Sequence, residues 1–136
     1  MPYWKLYYHF IWGTKNRLPL IDAYIEPKLY RAIAAKAQMI GGFVHAIGGI
    51  VDHVHLSASI PLKMAPANFI GDVKGNSSHF VNYVIKPGFE FRWQAEYGVL
   101  SLGERNLAGI VRYIRKQKEY HANRILITAL ERMDES

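Results

Sequence analysis

The amino-acid sequence predicts an α+β fold, a ferredoxin-like split β-α-β sandwich with a mainly antiparallel sheet and an added C-terminal helix. Two observations predict it. Four segments have the aromatic, β-branched or alternating residues of strands, and three others repeat apolar residues at helical spacing. In chain order these segments give β-α-β-β-α-β-α. The 136 residues suffice for one domain spanning residues 1–136, with a helical tail from about 118 to 136.

The first strand and the first helix are predicted from residue type and periodicity. Residues 4–14 are rich in aromatic and β-branched side chains, which favours a strand. Apolar residues then recur at helical spacing, which predicts a helix over about residues 25–40. Pro27 suits the first turn of this helix, and Gly41 ends it.

The second and third strands are predicted at residues 43–51 and 53–60. In the later strand polar and apolar residues alternate strictly, and successive side chains of a strand point to opposite faces of the sheet. The two faces carry Val54, Leu56, Ala58 and Ile60 on one side, and His53, His55, Ser57 and Ser59 on the other. The apolar set is therefore expected in the core, and both histidines share the opposite face.

The second half of the chain predicts two further helices, one strand and the helical tail. A second helix is expected over residues 66–84. Its inner stripe is predicted to be Phe69, Val73, Phe80 and Val84. The fourth strand is predicted over residues 97–102, a third helix begins near Asn106, and residues 124–132 are expected to be helical.

Composition and charge limit the classes of function. The chain has no cysteine, which excludes a disulfide framework, a thiolate zinc site and a thiol nucleophile, and agrees with a cytoplasmic protein. No apolar stretch approaches the roughly 20 residues of a membrane span, and no export signal is recognisable, so no membrane association is expected. The formal charge of +6 indicates a polyanionic partner, nucleic acid before anionic membrane.

Two histidines on the third strand and two polar residues on the third helix are the candidates for chemistry. His53 and His55 emerge on one face of the strand, where they can bind one divalent metal ion or form a polar pair facing solvent. Tyr113 and Gln117 are four residues apart and share one helical face. Gln117 can supply a carbonyl oxygen to a metal. Tyr113 can act as a hydroxyl nucleophile or as a packing residue at the edge of the apolar stripe.

Candidate nucleic-acid contacts lie in three places: the first connection, the second helix and the third helix. They are Lys15, Arg17, Lys74, Ser77, Ser78, Arg112 and Lys116. On the second helix these residues flank Gly75, where a phosphate backbone can approach closely. Three tryptophans and nine tyrosines offer stacking surfaces for unpaired bases. Each feature also has a simpler interpretation, as a solvated face or as part of the core.

Five motifs, in order, resemble those of the single-tyrosine HUH transposases of the IS200/IS605 type, the Y1 transposase family. They are YYHFIWGTKNRLPLI at residues 7–21, DHVHL at 52–56, KGNSS at 74–78, EYGVLSL at 96–102 and YIRKQ at 113–117. Each motif alone is weak, but five in this order are specific, and the resemblance covers nearly all of residues 1–124.

The resemblance implies a reaction and a site. It implies a transposase that recognises single-stranded DNA hairpins at transposon ends, and cleaves and rejoins strands through a 5′-phosphotyrosine on Tyr113. It implies that His53, His55 and Gln117 bind Mg²⁺ or Mn²⁺, whereas imidazole alone would favour zinc, nickel or copper. It also implies a homodimer, often with the tyrosine helix of one subunit completing the site of the other. The alternative is a domesticated or non-catalytic nucleic-acid-binding module on the same fold.

Overall fold

The computed structural model describes residues 3–134, so the last two residues of the predicted tail lie outside the described part of the chain. The strands are β1 (Tyr7–Gly13), β2 (Phe43–Ile50), β3 (His53–Ser59) and β4 (Gly98–Leu102). The helices are α1 (Ile25–Met39), α2 (Pro66–Phe80), α3 (Glu104–Arg115), α4 (Gln117–Ala122) and α5 (Thr128–Glu131). A 3₁₀ turn at Lys15–Arg17 follows β1, and a π-helical turn at Val81–Ile85 follows α2.

The four strands form one sheet in the order β2-β3-β1-β4, and every neighbouring pair is antiparallel. The connection through α1 leaves a gap between β1 and β2, and β3 fills that gap. This is the split β-α-β arrangement. The predicted ferredoxin-like α+β fold is confirmed.

One face of the sheet forms the hydrophobic core under α1 and α2. Phe10 and Trp12 of β1 and Leu56 of β3 are fully buried there, as the alternation along β3 predicted. The opposite face is covered as well, because α3 and α4 pack on β2 and α5 contacts β1 and β4. His53 and His55 are therefore 0% exposed, and the interpretation of a polar pair facing solvent is wrong.

The predicted buried stripe of the second helix is wrong at its last residue, Val84. Val84 is 63% exposed, whereas Val81 is fully buried. The α-helix gives way to a π-helical turn at Val81. A π turn holds more residues than an α turn, so the side chains that follow are rotated away from the expected face.

The third helix is interrupted and the tail is less helical than predicted. Lys116 has φ −108° and ψ 27°, so α3 ends at Arg115 and Gln117 begins α4. Arg124 has a left-handed φ of 56°, and within residues 124–134 the only regular helix is the four-residue α5. Within residues 3–134, none of the helices has the length and apolar character needed to cross a bilayer.

Candidate metal and nucleic-acid site

The side chains of His53, His55 and Gln117 converge on the face of the sheet opposite the core. The two imidazole rings lie 5.0 Å apart, centroid to centroid, because side chains two residues apart on a strand share a face. The His53 Nε2 atom lies 3.2 Å from the Gln117 Oε1 atom, across 64 residues of chain. Gln117 is only 1% exposed. Two strand residues and one helix residue thus meet in a single buried cluster.

Tyr113 lies beside this cluster in the same chain. Its ring meets the His55 ring edge-on at 5.9 Å and stacks on the Tyr120 ring at 5.1 Å. Its hydroxyl donates a hydrogen bond of 2.6 Å to Glu131 Oε2 and accepts one of 3.1 Å from the Ile127 backbone N–H. Burial and the hydrogen bond to Glu131 raise the pKa of the Tyr113 hydroxyl to about 12. The phenol is therefore protonated at neutral pH.

A glycine in β2 lets the end of α3 approach the sheet. A Cβ atom at position 48 would collide with the backbone carbonyl of Ile114, so only Gly48 permits this approach. Ile114 is fully buried, and its neighbour Tyr113 is 3% exposed. The backbone contact at Gly48 therefore fixes the depth at which the tyrosine and Gln117 sit.

Two residues that the sequence did not single out enter the same cluster, His121 from α4 and Glu131 from α5. His121 Nε2 lies 3.0 Å from Gln117 Oε1 and 3.3 Å from Glu131 Oε1. The Glu131 carboxylate also lies 3.1 Å from His55 Nε2 and 3.5 Å from His53 Nε2. One donor atom from each of these three histidines and the glutamate lies within 4.8 Å of all the others.

Each of the two strand histidines has a polar partner on the side of its ring that faces away from the cluster. His9 Nε2 lies 2.8 Å from His55 Nδ1, and Asp52 Oδ1 lies 2.9 Å from His53 Nδ1. Burial, together with the nearby His55, lowers the pKa of His9 to about 3, so His9 is neutral. Arg17 Nη2 is 3.3 Å from the Asp52 carboxylate. If each Nδ1 carries the proton, each Nε2 presents a lone pair to the cluster.

The cluster fits a divalent cation. His55 Nε2 is fully buried and, despite its proximity to Glu131, makes no aligned hydrogen bond. Burial lowers the pKa values of His55 and His121, so both imidazoles are neutral ligands. Burial would raise the pKa of Glu131, but its contacts with His55 and Tyr113 outweigh this and lower it to about 2. Neutral imidazoles and an ionised carboxylate are the forms that bind metals.

The candidate DNA contacts separate into exposed and internal residues. Lys15, Arg17, Arg112 and Lys116 are exposed, and Ser78 is half-buried. Lys74 instead donates to the backbone carbonyls of Gln94 and Ala95, at 2.6 and 3.1 Å. Ser77 is fully buried and accepts a hydrogen bond from the Trp93 indole. These two residues would have to release internal bonds to contact DNA.

The sequence patterns that could have identified His121, His9 and Glu131 as site residues differ in strength. His121 lies four residues after Gln117, so helical spacing could have placed both on one face. His9 lies in the first motif, but the antiparallel register that brings β1 alongside β3 is not visible in the sequence. Glu131 lies 14 residues after Gln117, beyond an irregular segment, and no local pattern marks it.

Comparison with known proteins settles the family. Residues 2–117 match the family model described as "Transposase IS200 like". The chain belongs to the IS200-like transposase family. This confirms the resemblance found in the sequence, and His53, His55, Tyr113 and Gln117 all lie within the matched range.

Individual relatives of this IS200-like transposase agree with the assignment. It is 27% identical to the ISDra2 transposase TnpA of Deinococcus radiodurans over 122 residues, which are 85% of this chain and 86% of the relative. A crystal structure from D. radiodurans R1, of a protein proposed to be a transposase, matches with a TM-score of 0.67 and 26% identity, over 86% of this chain and 95% of that one.

A second solved structure shares the fold at lower sequence identity. It is the REP-associated tyrosine transposase bound to a REP hairpin, with a TM-score of 0.65 and 14% identity. The match covers 93% of this chain and 76% of that one. At this identity the similarity supports the architecture alone.

Proposed function

We propose that this family member is a metal-dependent single-stranded DNA transposase, which recognises hairpins at transposon ends and cleaves and rejoins DNA through a 5′-phosphotyrosine on Tyr113. The observation that carries the proposal is the convergence of a phenol with His53, His55 and Gln117 in one buried cluster. Hairpin recognition follows from the family resemblance, and one structural neighbour of the same fold is a transposase bound to a REP hairpin. We also propose a cytoplasmic location for this protein, which the absence of cysteine from its sequence favours.

The proposed metal is Mg²⁺ or Mn²⁺, held by His53, His55 and Gln117. When bound, the ion would polarise the scissile phosphate and offset the charge that develops in the transition state. The two neutral imidazoles and the amide add no charge of their own, so the positive charge of a divalent ion is kept for the phosphate. The assignment to Mg²⁺ or Mn²⁺ follows from the phosphate substrate and the family resemblance.

Tyr113 is the proposed nucleophile. Its Oη forms a bond to phosphorus while the bond from phosphorus to the 3′ oxygen breaks, which leaves a 5′-phosphotyrosine and, after protonation from solvent, a 3′-hydroxyl. The hydrogen bond from Tyr113 to Glu131 Oε2 directs the phenolic proton toward a carboxylate, and this is the direction in which the proton must leave. One phosphodiester replaces another, so rejoining requires no nucleotide cofactor.

The proposed DNA surface is formed by the basic residues around the cluster. Lys15 and Arg17 follow β1, and Arg112 and Lys116 lie on either side of Tyr113 along the chain; all four are exposed. Arg17 is also close to the site itself, with its Nη2 atom 3.3 Å from His53 Nδ1. Lys74, Ser77 and Ser78 on α2 are further proposed contacts, and for Lys74 and Ser77 the proposal requires that their internal hydrogen bonds open when DNA binds.

We also propose a homodimer. On α3, Leu107 and Val111 are apolar but only half-buried. They line a depression of about 680 Å³ together with Ala108 and four charged residues: Glu104, Arg112, Arg115 and Lys116. A second copy of the chain is the proposed partner of this face. Because Tyr113 lies beside the histidines of its own chain, the site does not need a helix from the partner to bring these groups together.

A covalent-adduct assay tests the proposed reaction. The protein is incubated with Mn²⁺ and single-stranded DNA covering both flanks of its coding sequence, and the products are separated on a denaturing protein gel. The wild type is expected to form a protein–DNA adduct that is absent with EDTA and in Tyr113→Phe. Tyr120→Phe is the matched control and should keep the adduct.

The histidines provide the second arm of this assay. His53→Ala and His55→Ala are expected to abolish the adduct while hairpin binding persists, because these residues are proposed to hold the metal and not the DNA. DNA binding without any adduct in the wild type would favour the non-catalytic binding module. Equal loss of binding and cleavage in the histidine variants would show that the histidines are structural.

A further inference from the structure

We propose that His121 and Glu131 are metal ligands, so that four histidine and glutamate ligands, His53, His55, His121 and Glu131, hold the ion beside Gln117. The inference rests on the proposed function, because it concerns the same ion. Both residues lie beyond residues 2–117, the part of the chain that matches the family model. The site would therefore be completed by a segment beyond the part of the chain that matches the family model.

The geometry of the four donors supports a single ion. Their ligand atoms lie within 4.8 Å of one another. Two ligands at about 2.1 Å on opposite sides of an ion are about 4.2 Å apart. The widest pair would thus need to close by roughly half an ångström, which rotation of a glutamate side chain can supply.

The unpartnered nitrogen of His55 points to a ligand that is not a protein group. His55 is 0% exposed, and its Nε2 atom faces the Glu131 carboxylate at 3.1 Å without an aligned hydrogen bond. A buried polar atom without a partner costs about 1–3 kcal/mol. A cation between the imidazole and the carboxylate would satisfy both groups.

The charge of the cluster supports a cation as well. The Glu131 side chain is only 17% exposed and faces three imidazoles, which are neutral when they act as metal ligands. The nearest guanidinium, Arg17, is engaged with the Asp52 carboxylate. Glu131 therefore brings a negative charge that a divalent ion would balance.

Packing contacts at both ends of α5 hold Glu131 in position. The neighbouring Leu130 is 3% exposed, and the Ile127 backbone N–H donates to the Tyr113 hydroxyl. At the other end of α5, the Arg132 carbonyl packs so closely on Gly98 of β4 that a Cβ atom there would collide with it. The carboxylate is thus held at the cluster by contacts on both sides of it.

The proposed ligand set makes a specific prediction about the metal. With the Gln117 oxygen, the three imidazoles and the carboxylate would supply five donors. Three imidazoles favour transition metals over Mg²⁺. The full chain is therefore expected to bind Mn²⁺ more tightly than Mg²⁺, and Zn²⁺ more tightly than Mn²⁺.

Calorimetric titration of Mn²⁺ into the DNA-free full chain tests the inference without using activity. Glu131→Gln keeps the shape of the side chain and removes its charge, and His121→Phe keeps a ring and removes its nitrogens. Each is expected to weaken Mn²⁺ affinity by at least about tenfold. Glu119→Gln and His79→Phe, at exposed positions, are the matched controls and should bind as the wild type does.

The outcomes separate this inference from the proposed function. If His53→Ala loses the metal while Glu131→Gln and His121→Phe retain wild-type affinity, the four-ligand site is wrong and the proposed function stands. If the wild type binds neither Mn²⁺ nor Mg²⁺, both are wrong. Circular dichroism of each variant, and the rise in melting temperature that Mn²⁺ produces, distinguish a lost ligand from a lost fold.

Discussion

His55 shows how one side chain depends on partners from two other elements. Its Nδ1 atom lies 2.8 Å from His9 on the neighbouring strand β1, and its Nε2 atom faces Glu131 from α5. An imidazole carries one proton when neutral, so a hydrogen bond at one nitrogen determines whether the other can bind a metal. His9 therefore acts as a positioning residue for His55.

The role of His9 gives a prediction at the residue scale. His9→Leu removes the acceptor for the His55 Nδ1 proton and is expected to weaken Mn²⁺ affinity by about 10- to 100-fold. His9→Gln keeps an acceptor oxygen and should recover much of that affinity. Calorimetry at one pH measures both variants, with His79→Gln as an exposed control. Equal affinities of the Leu and Gln variants would contradict the positioning role.

At the scale of elements, close backbone contacts decide where the helices deliver their side chains. The carbonyl of Ile114 rests on Gly48 of β2, and α3 ends one residue later, at Arg115. The break at Lys116 then starts a new helix at Gln117. The Gln117 Nε2 atom still donates to the Tyr113 carbonyl at 3.3 Å, so the two residues stay neighbours across the break.

Gly48→Ala tests the importance of this contact. The added Cβ atom would collide with the Ile114 carbonyl and push the end of α3 away from the sheet. A displacement of about 1 Å is expected to lower adduct formation by roughly 100-fold, and overpacking to lower the free energy of unfolding by about 1–3 kcal/mol. The adduct assay and urea denaturation measure the two effects.

Gly71→Ala on α2 is the matched control for this substitution. A Cβ atom at position 71 meets no atom within 4 Å. Alanine is the better helix former by about 1 kcal/mol, so this variant should be slightly more stable and fully active. Wild-type adduct formation by Gly48→Ala would show that the site does not depend on this close approach.

At the scale of the whole molecule, the two faces of the sheet differ in what they carry. We call the face under α1 and α2 the structural side, and the face under α3, α4 and α5 the chemical side. One face packs the apolar core against α1 and α2, and the other holds the histidine cluster under α3, α4 and α5. The net charge of +6 adds long-range attraction for a polyanion. If the proposed DNA surface is correct, the basic residues on the chemical side contribute most to binding.

Salt dependence of DNA binding tests that surface. Replacing Lys15, Arg112 and Lys116 together by alanine should reduce the slope of log K against log salt by about 0.7 for each lost phosphate contact on single-stranded DNA. Replacing Lys28, Arg31 and Lys36 on α1 removes the same charge from the structural side. Titrations of a mixed-sequence oligonucleotide measure both slopes. An equal or larger change in the α1 variant would place the DNA on the other face.

The oligomeric state gives a second prediction at this scale. Light scattering should report about twice the chain mass of 15.6 kDa. Val111→Glu should yield monomers, because it places a charge on the half-buried apolar face of α3. Leu62→Glu, at a position that is 52% exposed, is the matched control and should remain dimeric. A monomeric wild type would contradict the proposed homodimer.

Local patterns in the sequence predicted much of the fold. The alternation along β3 and the helical spacing of α1 gave the strand faces and helix bounds nearly as observed, because they depend on the periods of strand and helix. The same periods brought Tyr113 and Gln117 to one face. They failed where the backbone departs from its regular period, at the π-helical turn after α2 and at the break before α4.

The sequence by itself determined the family and the ferredoxin-like order of elements, and it singled out the four residues of the proposed site. Only the tertiary structure decided that the histidine face is buried, and that His9, His121 and Glu131 join it. The physical reason is that these contacts join residues far apart in sequence, such as His9 with His55 and His53 with Glu131. Strand register and the path of an irregular tail create such contacts, and neither is encoded in a local pattern.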